Sequence, residues 1–283
     1  MFCEYSIVTH YRGVIQQYIE EGKTEGGMNR EIMLTVKQLS CGYGKTEVIH
    51  DLSFQVEAGG RLCILGPNGC GKTTLLRALA GVLSWQGQIE ADGVSLIGLP
   101  PRQRAKKIAL MSQFSGTAFD YTVYETVMLG RYAHQGDSLF SAETADDRIV
   151  VEDALRRTGV WELRERSVTK LSGGQLQRVF LARTFAQEPQ IILLDEPANH
   201  LDLRCQAELL ESLRDWTADG KRCVAGVFHD IGLAFAFADT ALLLEEGRAL
   251  ACGPVEELDE ELLDRLYGMD VRRYMKNMYG RWE

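Results

Sequence analysis

The run Gly66-Pro67-Asn68-Gly69-Cys70-Gly71-Lys72-Thr73 leaves this chain few folds to choose from. It follows the apolar stretch RLCIL (61–65) and opens the amphipathic stretch TTLLRALAGV (73–82). That is G-x-x-x-x-G-K-[ST] placed between a strand and a helix. The glycines let the backbone curl until several N–H groups point at one phosphate chain. The helix N-terminus adds a partial positive charge at the same place. Lys72 is suited to bridge the β- and γ-phosphates, and Thr73 to offer its hydroxyl to Mg²⁺. Such a loop needs a mostly parallel sheet wrapped by helices.

The rest of the chain reads accordingly. From Ile32, IMLTVKQLS alternates apolar and polar residues as a half-buried strand does, and Val48–Val56 is a second such pattern. QIILLD (190–195) and CVAGVF (223–228) are short apolar runs, the mark of strands buried on both faces. Residues 1–31 have a different texture, with the polar stretch EEGKTEGGMNR, and Met28 and Met33 are alternative starts just before the patterned part. They are expected to form an extension that is unfolded or not translated. The middle, about 115–175, lacks an apolar strand run and reads as a helical insert. There Thr144 and Asp147 signal a helix start, with Ile149, Val150, Val151, Ala154 and Leu155 on one stripe closed by Gly159. Near the end, Pro254 is expected to open a helix carrying Leu258, Leu262, Leu263 and Leu266, stopped by Gly268. The domain is expected to span 32–268, followed by a tail at 269–283.

Two further signals carry chemistry. The strand Ile191–Leu194 ends in Asp195-Glu196-Pro197. Charges beside four apolar residues are expensive to bury unless they are paired or face a metal. Asp195 suits a Mg²⁺ shell, and Glu196 suits a general base for the attacking water. Leu171-Ser172-Gly173-Gly174-Gln175 then sets a glycine pair at a helix start, a second nest for anions.

Two phosphate nests in one chain are odd for a simple kinase or GTPase. These residues resemble the ATP-binding cassette (ABC) ATPases over about Ile32 to Gly268, LSGGQ being that family's signature. The resemblance implies an α/β P-loop NTPase cassette: a mostly parallel core, an antiparallel β subdomain and a helical insert. It implies nucleotide contacts from Gly66, Pro67, Asn68, Gly69, Cys70, Gly71, Lys72, Thr73 and Thr74. It adds Tyr43, in Cys41-Gly42-Tyr43-Gly44, as the aromatic that stacks on adenine. Gln113, after the strand IALM, is implied as the glutamine that senses Mg²⁺ and the membrane partner, and His229 as the switch histidine on the γ-phosphate. Asn199-His200-Leu201-Asp202 resembles the D-loop, although Asn199 and His200 depart from the common Ser-Ala-Leu-Asp form. In the family's working model two copies meet head to tail. ATP lies between one copy's phosphate loop and the nest of Ser172, Gly173, Gly174 and Gln175 on the other, with Asp202 crossing the interface. The implied cofactors are ATP and Mg²⁺, and the implied partners are a second copy, integral-membrane permease subunits and, indirectly, a substrate-binding protein.

Tyr121–His134 (YTVYETVMLGRYAH) resembles importers of iron–siderophore, haem and cobalamin, where Val-x-x-x-Val-x-x-Gly-Arg is typical. The function expected is therefore ATP hydrolysis powering a metal-chelate importer from the cytoplasmic face of the inner membrane. Other importer or exporter classes are the alternative. A soluble ABC ATPase of ribosomes or DNA repair usually carries two cassettes or a long coiled coil, and one motif set without extended heptads speaks against it. A silent binding module is disfavoured by Lys72, Asp195, Glu196 and His229 standing together.

The net charge of -9 repels nucleic acid on average, and no nucleic-acid partner is expected. The short basic runs Arg102–Lys107 and Arg272, Arg273, Lys276 read as solvated faces. Seven scattered cysteines without a CxxC pair read as reduced thiols. Cys223–Leu244 is apolar enough to suggest a membrane span, but His229, Asp230 and Asp239 interrupt it, so a strand, a helix and a strand are expected there.

Overall fold

A computed structural model describes residues 31–112, 120–135, 143–199 and 201–279. Gln113, His200 and residues 1–30 lie outside them. The chain begins with three strands, β1 (Ile32–Tyr43), β2 (Thr46–Glu57) and β3 (Arg61–Leu65), and helix α1 (Lys72–Leu79). Strands β4 (Trp85–Ala91) and β5 (Val94–Ser95), helix α2 (Pro101–Lys107) and β6 (Ile108–Met111) follow. Then come helices α3 (Val123–Met128), α4 (Ala145–Arg157) and α5 (Gly173–Ala186). The last part alternates β7 (Ile191–Asp195), α6 (Leu203–Thr217), β8 (Cys223–Val227), α7 (Ile231–Phe237), β9 (Thr240–Glu245) and β10 (Arg248–Pro254). Helices α8 (Glu260–Tyr267) and α9 (Val271–Tyr279) close it.

Among the described residues these strands form two sheets. One runs β2-β1-β4-β5 and is antiparallel throughout. The other runs β10-β9-β3-β8-β7-β6, parallel except for the β10 edge. The large sheet is covered on both faces, which is why β3, β7 and β8 are continuously apolar. Leu62, Ile64, Ile191 and Leu193 pack with α1 and the antiparallel sheet. Cys63, Leu65, Ile192 and Leu194 pack in a second layer with α3 to α8. The side-chain period of two sends neighbours on one strand to opposite cores. Cys223–Leu244 is strand, helix, strand, and no described helix is long and apolar enough to cross a membrane.

Two local expectations need correction. Ile149 is 66% exposed and off the buried stripe of α4, which is Asp147, Val151, Ala154 and Leu155. At 100° per residue, an inward Asp147 turns Ile149 to the far side. Pro254 does not open a helix. It ends β10 opposite Thr240, a 3₁₀ turn follows at Val255–Glu257, and Asp259 caps α8 by accepting from the Glu261 N–H at 2.9 Å. Within the C-terminal tail after Gly268, Val271–Tyr279 is helical.

The Gly130-Arg131 pair fastens the helical region. A β-carbon on Gly130 would lie 2.4 Å from the Arg183 carbonyl oxygen of α5, so only glycine lets the segments approach this closely. That approach buries Arg131, which is 5% exposed. Its Nε donates to Asp147 Oδ1 at 2.9 Å, and one terminal nitrogen donates to the Ala186 carbonyl at 2.7 Å and to Glu188 Oε2 at 2.6 Å.

Candidate nucleotide site

The loop between β3 and α1 is wound tightly against the sheet. Gly69 and Gly71 have φ of +83° and +108°, in the left-handed region that side chains disfavour. A β-carbon on Gly71 would meet Ile49 Cδ1 at 2.7 Å. Lys72 is 6% exposed, and its ammonium donates to the carbonyls of Gly66 at 2.7 Å and Pro67 at 2.8 Å. The Cys70 thiol lies 3.9 Å from the same nitrogen. Two carbonyl acceptors leave a third ammonium hydrogen for another oxygen, which fits a phosphate.

At the next position Thr73 Oγ1 donates to Asp195 Oδ1 at 3.1 Å. The hydroxyl comes from α1 and the carboxylate from the end of β7, two strands away across β8. Two hard oxygen donors meeting beside a phosphate loop fit Mg²⁺. Burial pushes the Asp195 carboxyl above the usual range, and the neighbouring Glu196 adds to the rise, while Thr73, Arg77 and Lys72 oppose it. A carboxyl raised in this way weakens the fold once it ionises: stability falls as pH climbs through its folded pKa. Asp195→Asn is therefore expected to raise the neutral-pH melting temperature of the nucleotide-free chain. The same variant is expected to lose Mg²⁺-dependent stabilisation by ATP, as read by thermal shift with and without EDTA.

Glu196 follows in an unusual backbone state, with φ of +54°. It leaves the strand through a bond from its N–H to the Val227 carbonyl at 3.2 Å. One carboxylate oxygen lies 2.5 Å from His229 Nε2, which comes from the end of β8. The other accepts from Asn199 Nδ2 at 2.5 Å. His229 also lines a cavity of about 220 Å³ with Gly66, Pro67, Asn68, Phe228 and Tyr267. Lys72, Thr73, Asp195, Glu196 and His229, distant in sequence, are thus gathered at the C-terminal ends of β3, β7 and β8, where open α/β sheets place their ligands.

Other expected residues lie apart from that cluster. Tyr43 is 46% exposed at the end of β1, and its hydroxyl accepts from Arg77 at 3.1 Å. An exposed ring tied at its tip leaves a face open for stacking. Thr74 is buried in the first turn of α1. Ser172 caps α5 in a reciprocal box: its hydroxyl accepts from the Gln175 N–H at 3.3 Å, and the Gln175 side chain accepts from the Ser172 N–H at 3.0 Å. Gly173 faces open space, whereas a β-carbon on Gly174 would meet Cys205 Sγ at 2.7 Å. Asp202 caps α6 by accepting from the Cys205 N–H at 2.8 Å. Among the described residues no hydrogen bond joins Ser172, Gly173 or Gly174 to the phosphate loop.

Two residues at this site were assigned no role in it from sequence. Tyr267 lines the cavity from α8 beside Gly66, and burial pushes its phenol up to about 12. Asn199 holds the Glu196 carboxylate. A tyrosine more than 190 residues from the loop it touches carries no local signal; Asn199 did, as a departure from the common D-loop form.

A phosphate loop, an acid pair and a histidine at the strand ends of a parallel sheet define a P-loop nucleotide-binding protein. The ABC transporter family model matches residues 49–199, and this chain belongs to that family of ATP-binding, ATP-hydrolysing cassettes. It is 39% identical over 235 residues to the ferric enterobactin transport ATP-binding protein FepC of Escherichia coli, covering 82% of this chain and 86% of FepC. It is 38% identical over 238 residues to the uncharacterized ABC transporter ATP-binding protein YvrA of Bacillus subtilis. That match covers 82% of this chain and 53% of YvrA, so this chain spans about half of that relative's length. Among solved structures it is similar to a metal-chelate type ABC transporter in an inward-facing conformation. The TM-score is 0.72 at 32% identity, covering 84% of this chain and 89% of the other.

Proposed function

We propose that this chain is the ATP-hydrolysing subunit of an importer for iron–siderophore or a related metal chelate such as haem or cobalamin. It acts as a homodimer seated on integral-membrane permease subunits at the cytoplasmic face of the inner membrane, with a substrate-binding protein delivering cargo from the other side. The observation that carries the dimer is the separation of its two anion nests. Gly173, at the start of α5, faces open space, and no described hydrogen bond ties its nest to the phosphate loop of the same chain. A nucleotide held by Lys72 therefore meets a serine–glycine nest when a second copy supplies it.

Within each site Lys72 and the loop N–H groups hold the phosphates, and Thr73 and Asp195 hold the metal. Bound Mg²⁺ supplies charge neutralisation at the phosphate oxygens. Glu196 accepts a proton from the attacking water, and His229 fixes one oxygen of that carboxylate and lines the adjoining cavity. Closure of two copies around ATP is favoured because its charge is satisfied only when both nests engage, and loss of the γ-phosphate removes that bias. The similarity to a ferric enterobactin transport protein and to a metal-chelate type transporter supports the cargo class.

The test is uptake by cells of the source organism deleted for this gene. Accumulation of ⁵⁵Fe-loaded siderophore, haem or cobalamin should be lost for at least one of the three and restored by the wild-type chain but not by Lys72→Ala. Unchanged uptake of all three chelates would overturn the cargo assignment.

A further inference from the structure

Glu196 is held at both carboxylate oxygens, one of them by His229. The other is held by Asn199, whose amide donates to Glu196 Oε2 at 2.5 Å. An ionised carboxylate only accepts, so the network orients the Asn199 side chain with its NH₂ toward Glu196. We propose that Asn199 is a positioning residue for hydrolysis: it fixes the plane of the Glu196 carboxylate, so that the base meets the attacking water in one orientation. This rests on the reading of Glu196 as the general base.

The geometry around the pair explains why a second anchor is needed. The terminal torsion of a glutamate is broad and nearly two-fold, so one hydrogen bond leaves the other oxygen free to swing. Glu196 also lies just past the end of β7 with φ of +54°, and its N–H bond to the Val227 carbonyl steadies the backbone but not the carboxylate. A donor at each oxygen removes the remaining rotation. An amide suits the task because it carries no charge and no exchangeable role as a base. A lysine there would neutralise the carboxylate, and a second acid would repel it.

Asn199 is itself held in place. Its N–H donates to the Glu196 carbonyl at 3.3 Å, closing a turn that folds the side chain back over the base. Gln177 of α5 donates to the Pro197 carbonyl at 2.7 Å. Gln206 of α6 donates to the carbonyls of Ala198 and Leu201, each at 3.2 Å. Two helices thus pin the backbone on both sides of Asn199, so its amide is a fixed donor. The helix that starts at the serine–glycine nest is one of the two.

The test compares steady-state ATP turnover of the full-length chain carrying Asn199→Ala, Asn199→Asp and Asn199→Ser, each also combined with Glu196→Gln. Asn199→Asp keeps the shape, removes the donor and adds a like charge beside the base, Asn199→Ala removes the donor alone, and Asn199→Ser keeps a hydroxyl donor. Ala and Asp are expected to lower kcat about 10-fold or more, because small misplacement of a reacting group carries penalties up to that order and beyond. KM for ATP and the melting temperature should stay near wild type, and Ser should recover most of the rate. In the Glu196→Gln background Asn199→Ala should cause no further loss, since it acts through the base. Wild-type kcat in the Ala and Asp variants overturns the proposal. So does an equal loss in both backgrounds, or a fall in kcat matched by a collapse in melting temperature. Glu196→Gln retaining wild-type turnover would instead remove the base assignment and this proposal with it, which separates the two failures.

Discussion

Glu196→Gln is expected to lower ATP turnover by about 10²–10⁴-fold while nucleotide binding is kept. Glutamine has nearly the same size, its oxygen still accepts from Asn199, and its amide still meets His229. What is lost is the basic oxygen that takes the proton of water. Lys72, Thr73 and Asp195 are untouched, so Mg²⁺ and ATP should bind as before. ATP that binds without being cleaved should hold two copies together. The measurements are phosphate release and size-exclusion elution with MgATP: a slow enzyme that elutes as a dimer is expected. Turnover near wild type would mean that another group activates the water. A strictly monomeric, ATP-loaded variant, even with its permease present, would remove the shared-site reading.

Arg131→Ala should strongly damage the fold at a place away from the nucleotide site. Arg131 and Asp147 are both buried, with 6% of each side chain exposed. Burial works against the charge on Asp147, but the bonds from Arg131 and Thr144 outweigh it and hold its carboxyl below the usual range. Removing the cation leaves a buried acid without its partner, which costs about 3–5 kcal/mol. For a chain of this size that is a fall in melting temperature of roughly 10 °C. The pH dependence should change as well. A carboxyl held low stabilises the fold above the ordinary carboxylate range, and that stability is lost as pH falls through the folded pKa. In Arg131→Ala the Thr144 bonds to Asp147 remain but the guanidinium no longer opposes burial, so the variant should lose less stability on mild acidification than the wild type does. Thermal melts across pH 4 to 7 read both effects. A double change, Arg131→Met with Asp147→Leu, should recover part of the loss, because it removes both charges while keeping the volume. Full recovery is not expected, since Asp147 also completes the cap at Thr144.

The strand-and-helix order of the nucleotide half was legible because its signals are local. RLCIL, the glycine loop and TTLLRALA name strand, turn and helix within 20 residues, and β3 and α1 lie there. QIILLD and CVAGVF read as doubly buried strands, and their neighbours in the sheet are parallel, as that reading requires. The misplaced details are those where a side chain chose its partner from afar. Ile149 looked like core from its spacing, yet the inward direction of α4 is set by Asp147 reaching Arg131 on another element. Pro254 looked like a helix start, yet pairing with β9 keeps it extended. The C-terminal stretch VRRYMKNMY has few apolar residues, and its helix packs through Val271 and Met275 onto a core that the segment alone does not announce.

The sequence by itself determined the chemistry, because a phosphate loop, an acid pair at a strand end and a glycine nest at a helix start each need only neighbouring residues to state what they bind. Tertiary structure alone decided which of these act together. Thr73 meets Asp195 and Glu196 meets His229 only because the sheet order sets β8 between β3 and β7, so that their C-terminal ends converge. The same packing brought Asn199 and Tyr267 to the site and left Gly173 facing outward, since such encounters depend on how layers stack and not on spacing along the chain.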